Sequence, residues 1–230
     1  MLKVGIVGDI GSGKTEVLRL MRDLGAEALE ADAIARDVVR PGSEALRAIG
    51  GRFGRRYVRP NGTLDRAALG RLVFSDESAR QALNEIMYPA IRERMAARIE
   101  ELRSRERPPD VVAFEAAVLK EMNALALADV VVRVEAPREA RLERIRARNG
   151  LPDSEAQARL AAQERIALSD VPADFVIEND GDLDGLRHRV RDLWRRLHAL
   201  TSGAGEEGHP DARAACSSGR SRRNRGLKPS

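Results

Sequence analysis

Cysteine occurs once in 230 residues, at Cys216, so no disulfide can close within the chain. Histidine is limited to His188, His198 and His209, none beside a cysteine, which leaves a structural zinc site or a Cys-His nucleophile without its parts. Aromatic residues make up 3% of the sequence. Proteins that hold single-stranded nucleic acid by stacking need exposed rings, and here Ala, Leu, Val and Ile must build the core. No apolar run approaches the ~18 residues of a membrane-spanning helix. The opening residues Met1 to Gly8 have neither a basic leader nor a small-residue cleavage site, so a cytoplasmic setting is expected. An excess of one charge is also missing, with 40 Lys and Arg against 36 Asp and Glu, a net of +4. Residues 201–230 hold six basic and three acidic residues, so they account for +3 and leave the first 200 residues at +1.

What the chain does contain is a series of short Val- and Ile-rich runs separated by stretches of helical period. Lys3 to Val7, Glu27 to Ala31, Val111 to Glu115, Val130 to Glu135 and Phe175 to Glu178 are the candidate strands. Each is too short for a helix and is followed by a helical pattern, which predicts an α/β fold around a parallel sheet of about five strands buried on both faces. Some 80 residues between the second and third runs lack a clear strand. There Ile91, Met95, Ile99 and Leu102 mark one face of an amphipathic helix, and a helical insertion is expected. Leu186, Val190, Leu193 and Leu197 form a last helical stripe, with Trp194 beside it as a core residue. After Leu200 the periodicity ends, and 201–230 is expected to be a disordered basic tail.

Gly8-Asp9-Ile10-Gly11-Ser12-Gly13-Lys14-Thr15 matches the phosphate-loop pattern G-x-x-x-x-G-K-[ST] in full, between a strand run and a helical run. Gly8, Gly11 and Gly13 let the backbone bend so that amide N–H groups around Ser12 face a phosphate. Lys14 can reach the β and γ phosphates of ATP, and the Thr15 hydroxyl is placed to ligate Mg2+. No Asn-Lys-x-Asp segment of a GTPase and no tandem Asp-Glu of a motor ATPase follows a strand. Small-molecule phosphoryl transfer remains.

Asp32 follows the second strand run, where carboxyl ends of parallel strands face a ligand. As far as its own surroundings go, it could take a proton from an attacking hydroxyl or cap the next helix. Glu115, at the tip of the third run, is open between a place around magnesium and a surface role. Beyond the fourth run Pro137 suits a first helical position, and Arg138, Arg141, Arg144 and Arg148 then recur at spacings of three, three and four. They share one helical face, either solvated or turned to ATP phosphates as a lid; Arg159 and Arg165 could belong to the same segment.

The phosphate loop, Glu30-Ala31-Asp32-Ala33-Ile34-Ala35-Arg36, Asn61-Gly62-Thr63-Leu64-Asp65-Arg66-Ala67-Ala68-Leu69 and Ala173-Asp174-Phe175-Val176-Ile177-Glu178-Asn179-Asp180-Gly181 resemble, in order and spacing, segments of bacterial dephospho-CoA kinases. The resemblance runs from about residue 2 to 198. It implies a three-layer α/β/α P-loop NTPase fold of the nucleoside-monophosphate-kinase kind in residues 1–200, with a helical substrate domain near 37–107 and a lid near 137–170. It also implies transfer of the ATP γ-phosphoryl to the ribose 3′-hydroxyl of dephospho-CoA, the last step of CoA synthesis, with Mg2+ accompanying ATP; a monomer is expected because no coiled-coil heptads are evident. Asp32 matches the family's catalytic aspartate and Arg36 an arginine close to it. Arg144 and Arg148 fall in the lid, Asn179 near the ATP adenine, and Arg66 on the acceptor side. Tyr88-Pro89 stands where the family carries His-Pro, and Ala117-Val118-Leu119-Lys120-Glu121 replaces a Pro-Leu-Leu-x-Glu run. Tyrosine titrates near ~10 and cannot replace histidine as a proton acceptor at neutral pH, so Tyr88 is expected to bind the acceptor rather than accept its proton. Two rival readings keep a different partner: a kinase of another small alcohol or nucleoside, and a nucleic-acid-binding protein acting through Arg220 to Lys228.

Overall fold

The computed structural model describes residues 1–115, 122–149, 152–164 and 171–202. Five strands, β1 (Leu2–Val7), β2 (Glu27–Glu30), β3 (Val111–Glu115), β4 (Val130–Glu135) and β5 (Phe175–Glu178), form one sheet in the order β2-β3-β1-β4-β5. All neighbours are parallel, and the register sets Ile6 beside Glu115 and Val132. The strands lie where the short runs predict them, with two shifts: β1 begins at Leu2 and not Lys3, and Ala31 opens a helix instead of ending β2. Val111 to Phe114 are buried without alternation, as expected of a strand covered on both faces.

Helices α1 (Lys14–Asp23) and α8 (Leu183–Thr201) cover one face, where Val17, Leu18 and Met21 meet Leu186, Val190, Leu193 and Leu197, with Trp194 against the same cluster. The opposite face packs on α2 (Ala31–Asp37) and α5 (Glu77–Arg103), through Ile34, Ile91, Met95, Ile99 and Leu102. Between β2 and β3 the chain also forms α3 (Glu44–Phe53) and α4 (Arg66–Ser75). These close a core of their own around Leu46, Ile49, Tyr57 and Leu69, and the antiparallel bridge Val58–Leu64 pins the turn between them. Helices α6 (Arg138–Asn149) and α7 (Asp153–Glu164) follow β4 and share Ile145, Ala156 and Leu160. Pro137 lies one residue before α6, its carbonyl accepting from Arg141 N at 3.0 Å. The strand order reverses at β1, which opens a crevice at the carboxyl ends of β1, β3 and β4. The glycine loop after β1 lies at that crevice.

Candidate active site

Gly8 to Gly13 carry the chain from buried β1 into the first turn of α1. Ser12 N donates to the Asp9 carbonyl at 3.1 Å and Val17 N to Gly13 at 3.0 Å, so the loop closes on itself and then becomes helix. Gly11 and Gly13 have no substitute. Gly11 has φ 77°, and a Cβ there would lie 2.7 Å from the Arg141 carbonyl; Gly13 has φ 101°, and its Cβ would fall on the Asn179 amide. Lys14 is buried, with Nζ donating to the carbonyls of Gly8 at 2.7 Å and Asp9 at 2.9 Å. The cation is thus held inside the loop, at the amino end of α1 whose dipole favours anions.

Thr15, on the first turn of α1, donates from Oγ1 to Glu115 Oε1 at 3.3 Å. Burial pushes the Glu115 carboxyl above its ordinary value; Lys14 and the Thr15 bond oppose this, while the Asp32 and Glu30 carboxylates add to it. Asp32 is exposed in the first turn of α2. It does not cap that helix, because the N-cap is Glu30 and no side chain makes the cap bond. Arg36 lies one turn further on, exposed, and Arg66 Nη2 reaches its carbonyl at 3.5 Å. Tyr88 is half-buried against the core beneath α2 and α5.

Helix α6 meets the loop from the other side. Arg141 is buried and pairs through Nη1 with Asp9 Oδ2 at 2.9 Å. Arg144 Nη1 donates to the carbonyls of Gly11 at 3.2 Å and Ser12 at 3.4 Å, and its Nη2 to Asn179 O and Oδ1 at 3.1 and 3.3 Å. Asn179 is buried; its Nδ2 donates to Ser12 O at 2.7 Å and its backbone N to Glu135 O at 2.7 Å. Arg141 and Arg144 of the expected arginine face therefore contact the phosphate loop and are not simply solvated. The side chains of Arg148 and Arg159, together with Arg165 and 116–121, lie outside the described residues. Sequence reasoning missed the Asp9–Arg141 pair and a cleft of about 220 Å3 lined by Gly8, Asp9, Ser12, Arg133 and Glu135. The position of Arg133 and Glu135 at a strand's carboxyl end was the available signal.

A five-stranded parallel sheet with a Gly-rich loop at its switch point, a loop lysine, and hydroxyl and carboxylate oxygens beside it defines a P-loop kinase. The dephospho-CoA kinase family model (CoaE) matches residues 2–185, and the chain belongs to that family. It is 43% identical over 197 residues to the dephospho-CoA kinase of Moorella thermoacetica, covering 86% of this chain and 92% of that protein. With the dephospho-CoA kinase of Thermobifida fusca it is 40% identical over 203 residues, covering 86% and 100%. The solved structure of TT1252 from Thermus thermophilus superposes with a TM-score of 0.65 at 34% identity, covering 85% of this chain and 97% of that one.

Proposed function

We propose that the chain transfers the γ-phosphoryl group of ATP to the ribose 3′-hydroxyl of dephospho-CoA, giving ADP and CoA, the closing step of CoA biosynthesis. The observation that carries this reading is the meeting of Lys14, Thr15 and Glu115 at one edge of the sheet, with Asp32 close enough to act on the Glu115 carboxyl. That arrangement joins an anion cradle to a carboxylate on the acceptor side. Family membership supports the choice of acceptor over another alcohol or nucleoside.

The incoming phosphates draw Lys14 Nζ from the Gly8 and Asp9 carbonyls, and the loop amides hold the oxygens that remain. Ser12 Oγ, buried with no hydrogen-bond partner among the described residues, is a further donor in the same loop. Asp32 orients the 3′-hydroxyl and takes its proton as the oxygen bonds to the γ-phosphorus and the bond to the β-phosphate oxygen breaks. Arg144 carries the lid's positive charge toward the transferring group. Among the described residues no three acidic, His or Cys side chains form a metal cage. Thr15 and Glu115 instead offer the one or two hard oxygens that suit Mg2+ arriving with ATP. When bound, the ion neutralises charge between the β and γ phosphates.

No helix among the described residues is long and apolar enough to cross a membrane; we take the enzyme to act in the cytoplasm, as a monomer, on small-molecule substrates. The test is ADP release by purified protein with Mg-ATP, with and without dephospho-CoA, and the product's mass. A gain of one phosphoryl group on dephospho-CoA is expected, and ADP formation indifferent to that acceptor refutes the assignment.

A further inference from the structure

The second position of the phosphate loop is open in the pattern that defines it, and here it carries a carboxylate, Asp9. Amides, a lysine and a helix amino terminus all make this loop attract anions, so an acidic side chain on it opposes the ligand. Asp9 cannot be set aside as part of a surface turn, because its own carbonyl accepts from Lys14 Nζ at 2.9 Å. What answers its charge is Arg141, whose Nη1 lies 2.9 Å from Asp9 Oδ2. The two are unequally covered, with 10% of the Arg141 side chain exposed and 37% of the Asp9 side chain. A guanidinium that deep is costly unless an anion faces it, and Asp9 supplies one.

The pair joins positions 132 residues apart and seats the first turns of α6 on the loop. There the two backbones meet closely: a Cβ at Gly11 would lie 2.7 Å from the Arg141 carbonyl. One turn further along α6, Arg144 donates to the Gly11 and Ser12 carbonyls. Arg133 and Glu135, which line the neighbouring cleft with Gly8, Asp9 and Ser12, neutralise each other through Nε and Oε1 at 2.7 Å. Two carboxylates and two guanidinium groups thus cancel around the phosphate cradle. Without the Arg141 charge that balance becomes negative, and a contact that holds α6 over the loop is lost with it.

We propose that Asp9 is a positioning residue for the nucleotide, acting through Arg141: the carboxylate clasps α6 to the phosphate loop and so sets Arg144 over it, while the guanidinium cancels a charge that would otherwise repel ATP. The inference rests on the ATP-dependent reading above and concerns the donor side alone. Its test is calorimetric titration of Mg-ATP into the wild-type chain, Arg141→Gln, Arg141→Lys and the double variant Asp9→Asn/Arg141→Gln, with melting midpoints to confirm folding. Arg141→Gln strands the Asp9 carboxylate and should raise the Kd for ATP about tenfold, within the range of coupled neighbours. Adding Asp9→Asn should restore most of that loss, and the gap between the two variants should narrow as salt screens the stranded charge. A merely structural arginine gives the opposite order, since a second substitution in the same contact would not tighten binding. The Asp9 bond uses one guanidinium nitrogen, so Arg141→Lys can make it and should hold the Kd within about threefold. A double variant that binds no more tightly than Arg141→Gln, or a tenfold loss in a folded Arg141→Lys, overturns the clasp and leaves the reaction standing. The expected recovery, in a chain that phosphorylates no acceptor, upholds the clasp and sinks the reaction.

Discussion

At Asp32 and Glu115 two carboxylates near one crevice are given different work by their surroundings. Asp32 is exposed at the start of α2 and stays accessible to an acceptor hydroxyl. Asp32→Asn keeps the size and removes the proposed proton acceptor, so kcat should fall about 100- to 10,000-fold with the Kd for ATP nearly unchanged, as steady-state kinetics and nucleotide titration will read. Glu115 is set deeper, and burial raises its pKa above 4.5. Between 4.5 and the folded value, the folded protein keeps a proton that the unfolded chain has released. Stability from this group therefore decreases as pH rises through that window and stays reduced above it. Glu115→Gln should remove that decrease and raise the thermal midpoint at pH 7, by about 2–4 °C for each kcal/mol relieved, while raising the Mg2+ concentration needed for turnover. Melting scans from pH 4 to 8 will show whether the slope disappears; an unchanged slope places the buried charge elsewhere. The loop pattern picked out Lys14 and Thr15 in the sequence, and the end of a strand run picked out Asp32 with its role open between proton acceptor and helix cap. The Thr15–Glu115 bond was not legible there, since it joins residues 100 positions apart through the β1–β3 pairing.

The elements show where periodicity informs and where it stops. Strand positions followed from Val-rich runs, and the buried faces of α5 and α8 from Leu, Ile and Met at helical spacing. The arginine spacing on α6 gave a shared face but not its target. That target depends on β4 lying beside β1, which brings α6 over the loop. One arginine links three elements: Arg144 joins α6 to the loop carbonyls and to Asn179 after β5. Arg144→Ala should raise the KM for ATP about tenfold through loss of these charge-assisted bonds, and lower kcat as well if the arginine turns to phosphate. Arg144→Lys should recover little of it, because a single ammonium cannot span carbonyls that a planar fork reaches together. A lysine variant with wild-type kinetics would reduce the role of Arg144 to simple charge.

At the scale of the whole chain, charge and catalytic parts are separated. Every site residue from Gly8 to Asn179 precedes the close of α8 at Thr201, and the family match ends at residue 185. Residues 203–230 carry six basic and three acidic side chains, +3 of the net +4, and lie outside the described residues. A chain ending at Ser202 keeps the packed clusters, the loop and the contacts of α6 with it, with a net charge of +1. Its kcat/KM for dephospho-CoA and its melting midpoint should match the full chain, within the factor of about two that changes remote from packing allow. If the basic segment binds nucleic acid, the full chain should show weak association that falls steeply with salt, and the shortened chain none. Equal binding by both would locate any such affinity in the near-neutral body. A drop in kcat/KM after truncation, at an unchanged melting midpoint, would instead show that the basic segment reaches the crevice during turnover.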